Sequence, residues 1–322
     1  MARSTWTPER WRRTPAAAAR AVMAACLLAA LRPGIPPAVA ATTAHAIEVG
    51  GVRRTFRLHV PPSLSPRAVP LVFVLHGGGG TGRQMERLGF GPLADRHGFI
   101  VVYPDAFQRH WNDGRGAPAI RAQAEGIDDV AFIEALILRL SAVYRVDPAR
   151  VFSTGISNGG FMSQLLAARL SRRIAGIAAV AAGMAPSVAA TLAPERPVSI
   201  LVLNGTDDPL VPYGGGPVAR HRGETVSTDE IVRRWVAANR CAKDPEVIQL
   251  PDRDPTDGTR VRKTAYTSCA QRSAVVLYTI EGGGHTWPGA AQALPRAIVG
   301  RVSREINATE VIWQFFAAHP QP

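Results

Sequence analysis

"TGISNGG", residues 154–160, follows the apolar run Val151-Phe152-Ser153 and precedes the helix-like stretch Phe161-Met162-Ser163-Gln164-Leu165-Leu166. A buried-strand pattern that gives way to a helical one across a serine set between glycines predicts a sharp strand-to-helix turn. Such a turn crowds the backbone, so Gly155 and Gly159 read as positions where a Cβ would collide. It also pushes the Ser157 hydroxyl out of the sheet edge and aims the N-terminus of the next helix at it. The rival reading is an ordinary glycine-rich turn. What separates the two is whether partners for the serine exist elsewhere in the chain.

Working outward, apolar β-branched segments alternate with helical ones. Strands are expected at 54–60, 71–75, 100–103, 151–154, 177–180, 200–203 and 274–280. Asp128 or Asp129 caps a helix running to about Tyr144, with Val130, Ile133, Ile137 and Leu140 on one face. Ser227-Thr228-Asp229-Glu230 is a capping box for a helix carrying Ile231 and Trp235, and Asn307 caps a last helix through Phe316 rather than serving as a glycosylation sequon. The Pro-, Asp- and Arg-rich stretch 251–262 reads as a surface loop. This alternation predicts an α/β fold: one domain with a mostly parallel sheet and helices on both faces.

In a parallel sheet, functional groups gather at the carboxyl ends of the strands. Strand 71–75 runs into His76-Gly77-Gly78-Gly79-Gly80, strand 200–203 into Asn204-Gly205-Thr206-Asp207-Asp208-Pro209, and strand 274–280 into Glu281-Gly282-Gly283-Gly284-His285. Glycine loop, Ser, Asp, His is the chain order of an α/β-hydrolase triad. A serine hydroxyl is a weak nucleophile until a base takes its proton, and neutral imidazole does so near pH 7. His285 is the candidate base. A carboxylate must hold the ring in the right tautomer. Asp208 is preferred because Pro209 biases it toward an extended conformation, although residue physics barely separates it from Asp207. The oxyanion formed on attack needs amide donors. Asn158, after the serine, is one candidate, and Gly78 is the other, with Gly79 next. His76 reads as a loop-ordering residue. No Lys-Ser/Thr follows Gly77–Gly80, and His97, His110 and His221 show no metal-ligand spacing, so neither a phosphate loop nor a metal or other cofactor is expected.

The 322 residues carry a net charge of +12, but much of it lies in the first forty. Arg3, Arg10, Arg12, Arg13 and Arg20 precede an uncharged apolar run from Ala21 to Leu31, followed by Ala38-Val39-Ala40. That layout predicts a secretory signal over residues 1–40, cleaved after 40 or, at Ala44-His45-Ala46, after 46, and too short for a comfortable membrane span. Arg12-Arg13 hints at a twin-arginine route, and Cys26 offers a minor lipid-anchored alternative. Without residues 1–40 the balance is 31 basic against 24 acidic residues, about +7, scattered and without interleaved aromatics. Nucleic acid is therefore not an expected partner. Cys241 and Cys269 remain, and an even pair in an exported chain reads as a disulfide.

Taken together, "LHGGGG" (75–80), "WNDGR" (111–115), "GIDDVAFI" (126–133), "VDPARVFSTGISNGG" (146–160), "LNGTDDPLVPYGG" (203–215) and "GGGHTWPG" (282–289) resemble the secreted esterases of the polyhydroxybutyrate-depolymerase-like group, related to feruloyl and acetylxylan esterases of carbohydrate esterase family 1. The resemblance spans nearly all the chain beyond the leader. It implies a single α/β-hydrolase domain over 47–320, with nucleophile Ser157, acid Asp208 and base His285, and an acyl-enzyme formed without a cofactor. Family members commonly have His where Asn204 stands, a departure outside the triad. It also implies that Asp128-Asp129 orders the surroundings of the site, which a helix cap explains equally well. Trp111 and Trp287 are candidates for pocket walls, or for packing under loops. Roughly 280 residues after cleavage leave no room for a polymer-binding module, so small or soluble oligomeric esters are the expected substrates. A peptidase or lipase on the same triad, or a non-catalytic surface protein, is the alternative. The residues say nothing about oligomeric state.

Overall fold

The computed structural model describes residues 41–322 apart from 220 and 293, so the leader and Cys26 lie outside the described residues. Among the described residues twelve strands are formed: β1 (Thr43–Val49), β2 (Val52–His59), β3 (Val69–Leu75), β4 (Ile100–Pro104), β5 (Val146–Ile156), β6 (Gly176–Val180), β7 (Ser199–Gly205), β8 (Gly216–Pro217), β9 (Glu224–Thr225), β10 (Glu246–Gln249), β11 (Arg260–Tyr266) and β12 (Val275–Glu281). Ten of them make one sheet in the order β1-β2-β4-β3-β5-β6-β7-β12-β11-β10, while β8 and β9 pair separately. The central strands β4, β3, β5, β6, β7 and β12 are parallel, and antiparallel strands close both edges.

Alternation along β3 shows how the layers form. All seven of its residues are buried, but Leu71, Phe73 and Leu75 belong to one apolar cluster and Val72 and Val74 to the other. Successive side chains point to opposite faces, so a continuous apolar run is buried only if both faces are covered. On one face lie the helices Asp129–Val143, Asn158–Arg169 and Thr228–Ala238, contributing Phe132, Met162 and Trp235. On the other lie Phe90–His97 and Ala308–Ala318, contributing Phe90 and Phe316.

Several local expectations appear as side-chain bonds. Asp128 accepts from the Ala131 amide, Ser227 from Glu230, and Asn307 from Thr309 and Glu310, each satisfying donors a helix start leaves open. Asn307 is therefore a cap. Two differences are located at the edges. β1 and β10 read as no strand in the sequence because edge strands bury little and show no clean alternation; all four residues of β10 are exposed. β11 begins at Arg260, inside the stretch read as loop, with Val261 and Ala265 as its buried positions. The possible cut after residue 46 falls inside β1, whose ladder runs from Thr43↔Leu58 to Val49↔Val52.

Cys241 and Cys269 are joined across 28 residues, tying the end of the helix Thr228–Ala238 to the loop before β12. Closing a loop of that size restricts the unfolded chain by about 3–4 kcal/mol. Neither cysteine lines the cavity described below. Reductant should therefore lower the melting temperature by roughly 5–10 °C while leaving initial rates on ester at 25 °C intact. Two free thiols titrated in the unreduced, unfolded protein would contradict the bridge.

Candidate active site

β5 ends at Ile156, Ser157 takes φ +55° and ψ −124°, and the helix begins at Asn158. The turn needs its glycines. A Cβ on Gly155 would lie 2.6 Å from the carbonyl carbon of Gly159, and one on Gly159 would lie 2.4 Å from the Leu75 oxygen. No side chain fits there, since backbone cannot retreat as a flexible side chain can. The Ser157 amide donates to the Val180 carbonyl (2.9 Å), which fixes the strained residue from the neighbouring strand.

His285 lies on the loop after β12, and its backbone amide donates to the Val299 carbonyl at 2.6 Å. A Cβ on Gly284 would be 2.1 Å from that same carbonyl oxygen, so the glycine permits the approach. The ring's Nδ1 is 2.7 Å from Oδ2 of Asp208, with 9% and 2% of the two side chains exposed. Asp208 Oδ1 accepts the amides of Leu210 and Val211, both at 2.8 Å, which turns the other oxygen to the imidazole. With a carboxylate as acceptor, Nδ1 carries the hydrogen and Nε2 is left as the basic nitrogen. Asp207 faces the other way: Thr206 donates to it, Arg301 lies 3.5 Å off, and 56% of its side chain is exposed.

Ser157, His285 and the glycine loop line one cavity of about 590 Å³. Within that loop the Gly79 amide donates to Arg109 and the Gly80 amide to Gly77, so both are engaged. The Gly78 amide donates to no acceptor among the described residues. The Asn158 amide, in the first turn of its helix, has no intrahelical acceptor.

Trp287 lines the cavity, with its indole N–H held by Thr309 (3.1 Å) and its ring edge-on to Phe90. Trp111 is not among the lining residues, and of its two readings the packing one fits. It is fully buried, its indole N–H donates to the His76 carbonyl (2.9 Å), and its backbone amide donates to Asn158 Oδ1 (2.8 Å). An amphipathic ring in a glycine-rich loop serves either role, and only the three-dimensional path of the loop decides.

Behind the elbow stands a polar network that sequence reading did not resolve. Asp113 is fully buried, takes a forked contact from Arg115 (2.7 and 3.0 Å), and accepts from Asn158 Nδ2 (2.6 Å) and Gln123 (2.9 Å). The Arg115 guanidinium also lies 4.2 Å over the Phe161 ring. Arg54 pairs with buried Asp129 at 2.5 Å, and Asp129 in turn accepts the Asn112 amide (2.7 Å). Burial pushes the Asp129 carboxyl up, and Arg54 opposes that shift. The two carboxylates thus hold the 111–115 loop, and the loop holds Asn158. "WNDGR" was the available signal, but a charged pair in a glycine loop gives no local sign of being buried. Asn204 is likewise buried, clasping both backbone groups of Ala182 (3.0 and 2.9 Å).

His76 orders the loop as read. Its Nε2 accepts the Ala106 amide (3.0 Å), so Nδ1 carries the hydrogen and donates to the Gly77 carbonyl (2.8 Å). Burial pulls its pKa down to about 4 from 6.5. Between those values the unfolded chain binds a proton that the folded chain refuses. The stability is therefore complete above pH 6.5 and declines as pH falls toward 4, by no more than about 3 kcal/mol from this group. Melting curves across that window should show the decline, and His76→Gln should flatten it; an equal slope in the variant would assign the effect to other groups.

Among the described residues no cluster of ligating side chains fits a metal ion, and no helix is long and apolar enough to cross a membrane. The family model described as "Esterase PHB depolymerase" matches residues 54–196. The chain is 33% identical over 295 residues to "Putative esterase NocK" of Nocardia uniformis subsp. tsuyamanensis, covering 87% of this chain and 84% of that one. It is 29% identical over 229 residues to feruloyl esterase B of Piromyces equi, spanning 68% of this chain but only 40% of that protein. Among solved structures, an acetyl xylan esterase from Aspergillus awamori superimposes with a TM-score of 0.53 at 15% identity, over 76% of this chain and 94% of its own, which is a likeness of fold. With an α/β-hydrolase sheet, a serine elbow, and this extent of similarity to a named esterase, the chain belongs to the PHB-depolymerase esterase family of carboxylic ester hydrolases.

Proposed function

We propose that the chain is an exported serine esterase acting on short hydroxyalkanoate, feruloyl or acetyl esters, with Ser157 as nucleophile, His285 as base and Asp208 as its orienting carboxylate. The observation that carries this reading is the 2.7 Å bond from His285 Nδ1 to a doubly anchored Asp208, with Ser157 on the same cavity. Ser157 Oγ attacks the ester carbonyl carbon while its proton passes to His285 Nε2. The oxyanion lies between the Asn158 and Gly78 amides. The tetrahedral intermediate collapses, and His285 returns the proton to the leaving alcohol oxygen. Water, deprotonated by His285, then attacks the acyl-serine and releases the acid. Trp287 supplies an aromatic wall for the bound ester. The substrate is a small or oligomeric ester, and the step needs no metal or organic cofactor.

Export rests on the basic, apolar and small-residue order of 1–40 and on a disulfide suited to an oxidising compartment. Cleavage after residue 40 leaves β1 whole, whereas cleavage after 46 removes four of its seven residues. A fluorophosphonate probe, together with p-nitrophenyl acyl esters, methyl ferulate and hydroxybutyrate oligomers, tests the activity. Labelling and hydrolysis of short-chain esters are expected. Cleavage of peptides without cleavage of esters, or absence of labelling, would overturn it.

A further inference from the structure

The glycine loop 77–80 carries no side chain that could fix which way its amides point. Its orientation is imposed from outside, and residues 109–111 supply much of the hold. The Arg109 carbonyl accepts the Gly79 amide (2.8 Å), and Arg109 Nε donates to the Gly80 carbonyl (3.3 Å). The His110 ring packs on Gly78, with Cδ2 3.0 Å from the point a Cβ there would occupy. Trp111 holds the other candidate oxyanion donor: its amide donates to Asn158 Oδ1 (2.8 Å) and its carbonyl accepts from Nδ2 (3.1 Å). Three successive residues therefore touch both donors.

The chain reaches them through an uncommon backbone. The Arg109 amide bonds the Ala106 carbonyl and the His110 amide that of Phe107, both at 3.1 Å, which closes a tight turn. Inside it Gln108 has φ +46° and Arg109 φ +65°. In that region a side chain crowds its own backbone, and β-branched residues fit worst. Strain of this kind persists only where the surrounding structure holds it. Among the described residues one other adjacent non-glycine pair is left-handed, Gln271 and Arg272 (φ +53° and +58°), again in a short 3₁₀ turn. Arg272 is outside the cavity lining, and both arginines are exposed, so the second turn is a natural comparison for the first.

We propose that Arg109 is a positioning residue for the oxyanion donor Gly78, and that it acts through its left-handed backbone rather than its guanidinium. That conformation aims the Arg109 carbonyl at the Gly79 amide, which fixes the peptide next to Gly78 and leaves the Gly78 N–H unengaged for the oxyanion. A residue that leaves the left-handed region swings the adjoining peptide planes and takes the carbonyl away from Gly79. The glycine loop then loses a hold it cannot replace, and the donor is no longer preorganised. The inference rests on the esterase reading with Gly78 as oxyanion donor.

Arg109→Gly, Arg109→Ala and Arg109→Val all remove the guanidinium and differ in how well they hold a φ near that of Arg109. On a p-nitrophenyl ester, kcat should fall in that order. Val loses about 10²-fold, the size of losing one oxyanion donor. Gly recovers about tenfold or more of that loss, and Ala lies between. KM stays within about threefold, because the donor acts on the transition state rather than on the bound ester. Inhibition by butylboronic acid, whose serine adduct is tetrahedral with an oxygen at the oxyanion position, weakens in step with kcat. Arg272→Val, the same change at the comparison turn, lowers the melting temperature as Arg109→Val does but lowers kcat by less than about threefold. If Arg109→Val does not fold, the difference in kcat between Arg109→Ala and Arg109→Gly decides alone. Equal kcat in the Arg109 variants, a loss carried only by KM, or an equal loss in Arg272→Val overturns the proposal while the esterase reading stands. A wild-type protein that cleaves no ester overturns both.

Discussion

Ser157→Ala should lower turnover on esters by on the order of 10⁶-fold and abolish fluorophosphonate labelling, with little change in melting temperature. The size follows from what is removed: without the hydroxyl no acyl-enzyme forms, and what remains is binding and the oxyanion donors. The structural cost is small. Ser157 sits on the cavity wall, and its backbone is held by the Val180 and Phe161 bonds, which do not involve the side chain. Its φ of +55° strains any residue with a Cβ, so Ala inherits the strain without adding to it. Ser157→Gly removes the strain as well as the hydroxyl, and should be at least as stable as Ser157→Ala in a thermal melt. Labelling that persists in either variant would move the nucleophile to another residue.

Asp208→Asn should cost up to about 10⁴-fold in turnover at pH 8, while Asp207→Asn costs less than tenfold. The anchoring of Asp208 makes the direction unambiguous. One side-chain oxygen must accept the Leu210 and Val211 amides, so the Asn carbonyl takes that place and its NH₂ is turned to His285. Facing a donor, Nδ1 gives up its hydrogen, the proton moves to Nε2, and the ring can no longer take one from Ser157. At Asp207 the change loses only an exposed, 3.5 Å contact with Arg301. Rates for both variants on one p-nitrophenyl ester check the contrast. The reverse order would assign the carboxylate to Asp207, and equal mild losses would place the partner of His285 elsewhere.

The elbow was legible because its constraint is local and steric. Gly155 and Gly159 lie within four residues of each other, and a Cβ on Gly155 would strike the Gly159 backbone 2.6 Å away. The parallel core was legible for a related reason, since a run such as Leu71–Leu75 is apolar on both sides of its own pleat. β10 and the start of β11 were not, because an exposed edge strand imposes no pattern on its sequence. Whether Trp111 lines the pocket or packs under its loop stayed open for the same reason: its ring faces inward because the 111–115 loop is drawn down by Asp129 and Asn158, residues distant in sequence.

By itself, then, the sequence determined the α/β class, the strand ends that carry chemistry, and the order of glycine loop, serine, aspartate and histidine. Periodicity, capping and glycine sterics act over a few residues, and a linear reading contains them. Only the tertiary structure decided which of two adjacent aspartates meets a histidine 77 residues away, which loop amides remain unengaged, and which tryptophan reaches the cavity. It also decided that Asp113 and Arg115 are buried together. Each of these depends on which surfaces distant segments turn toward one another, and that is set by packing the whole core.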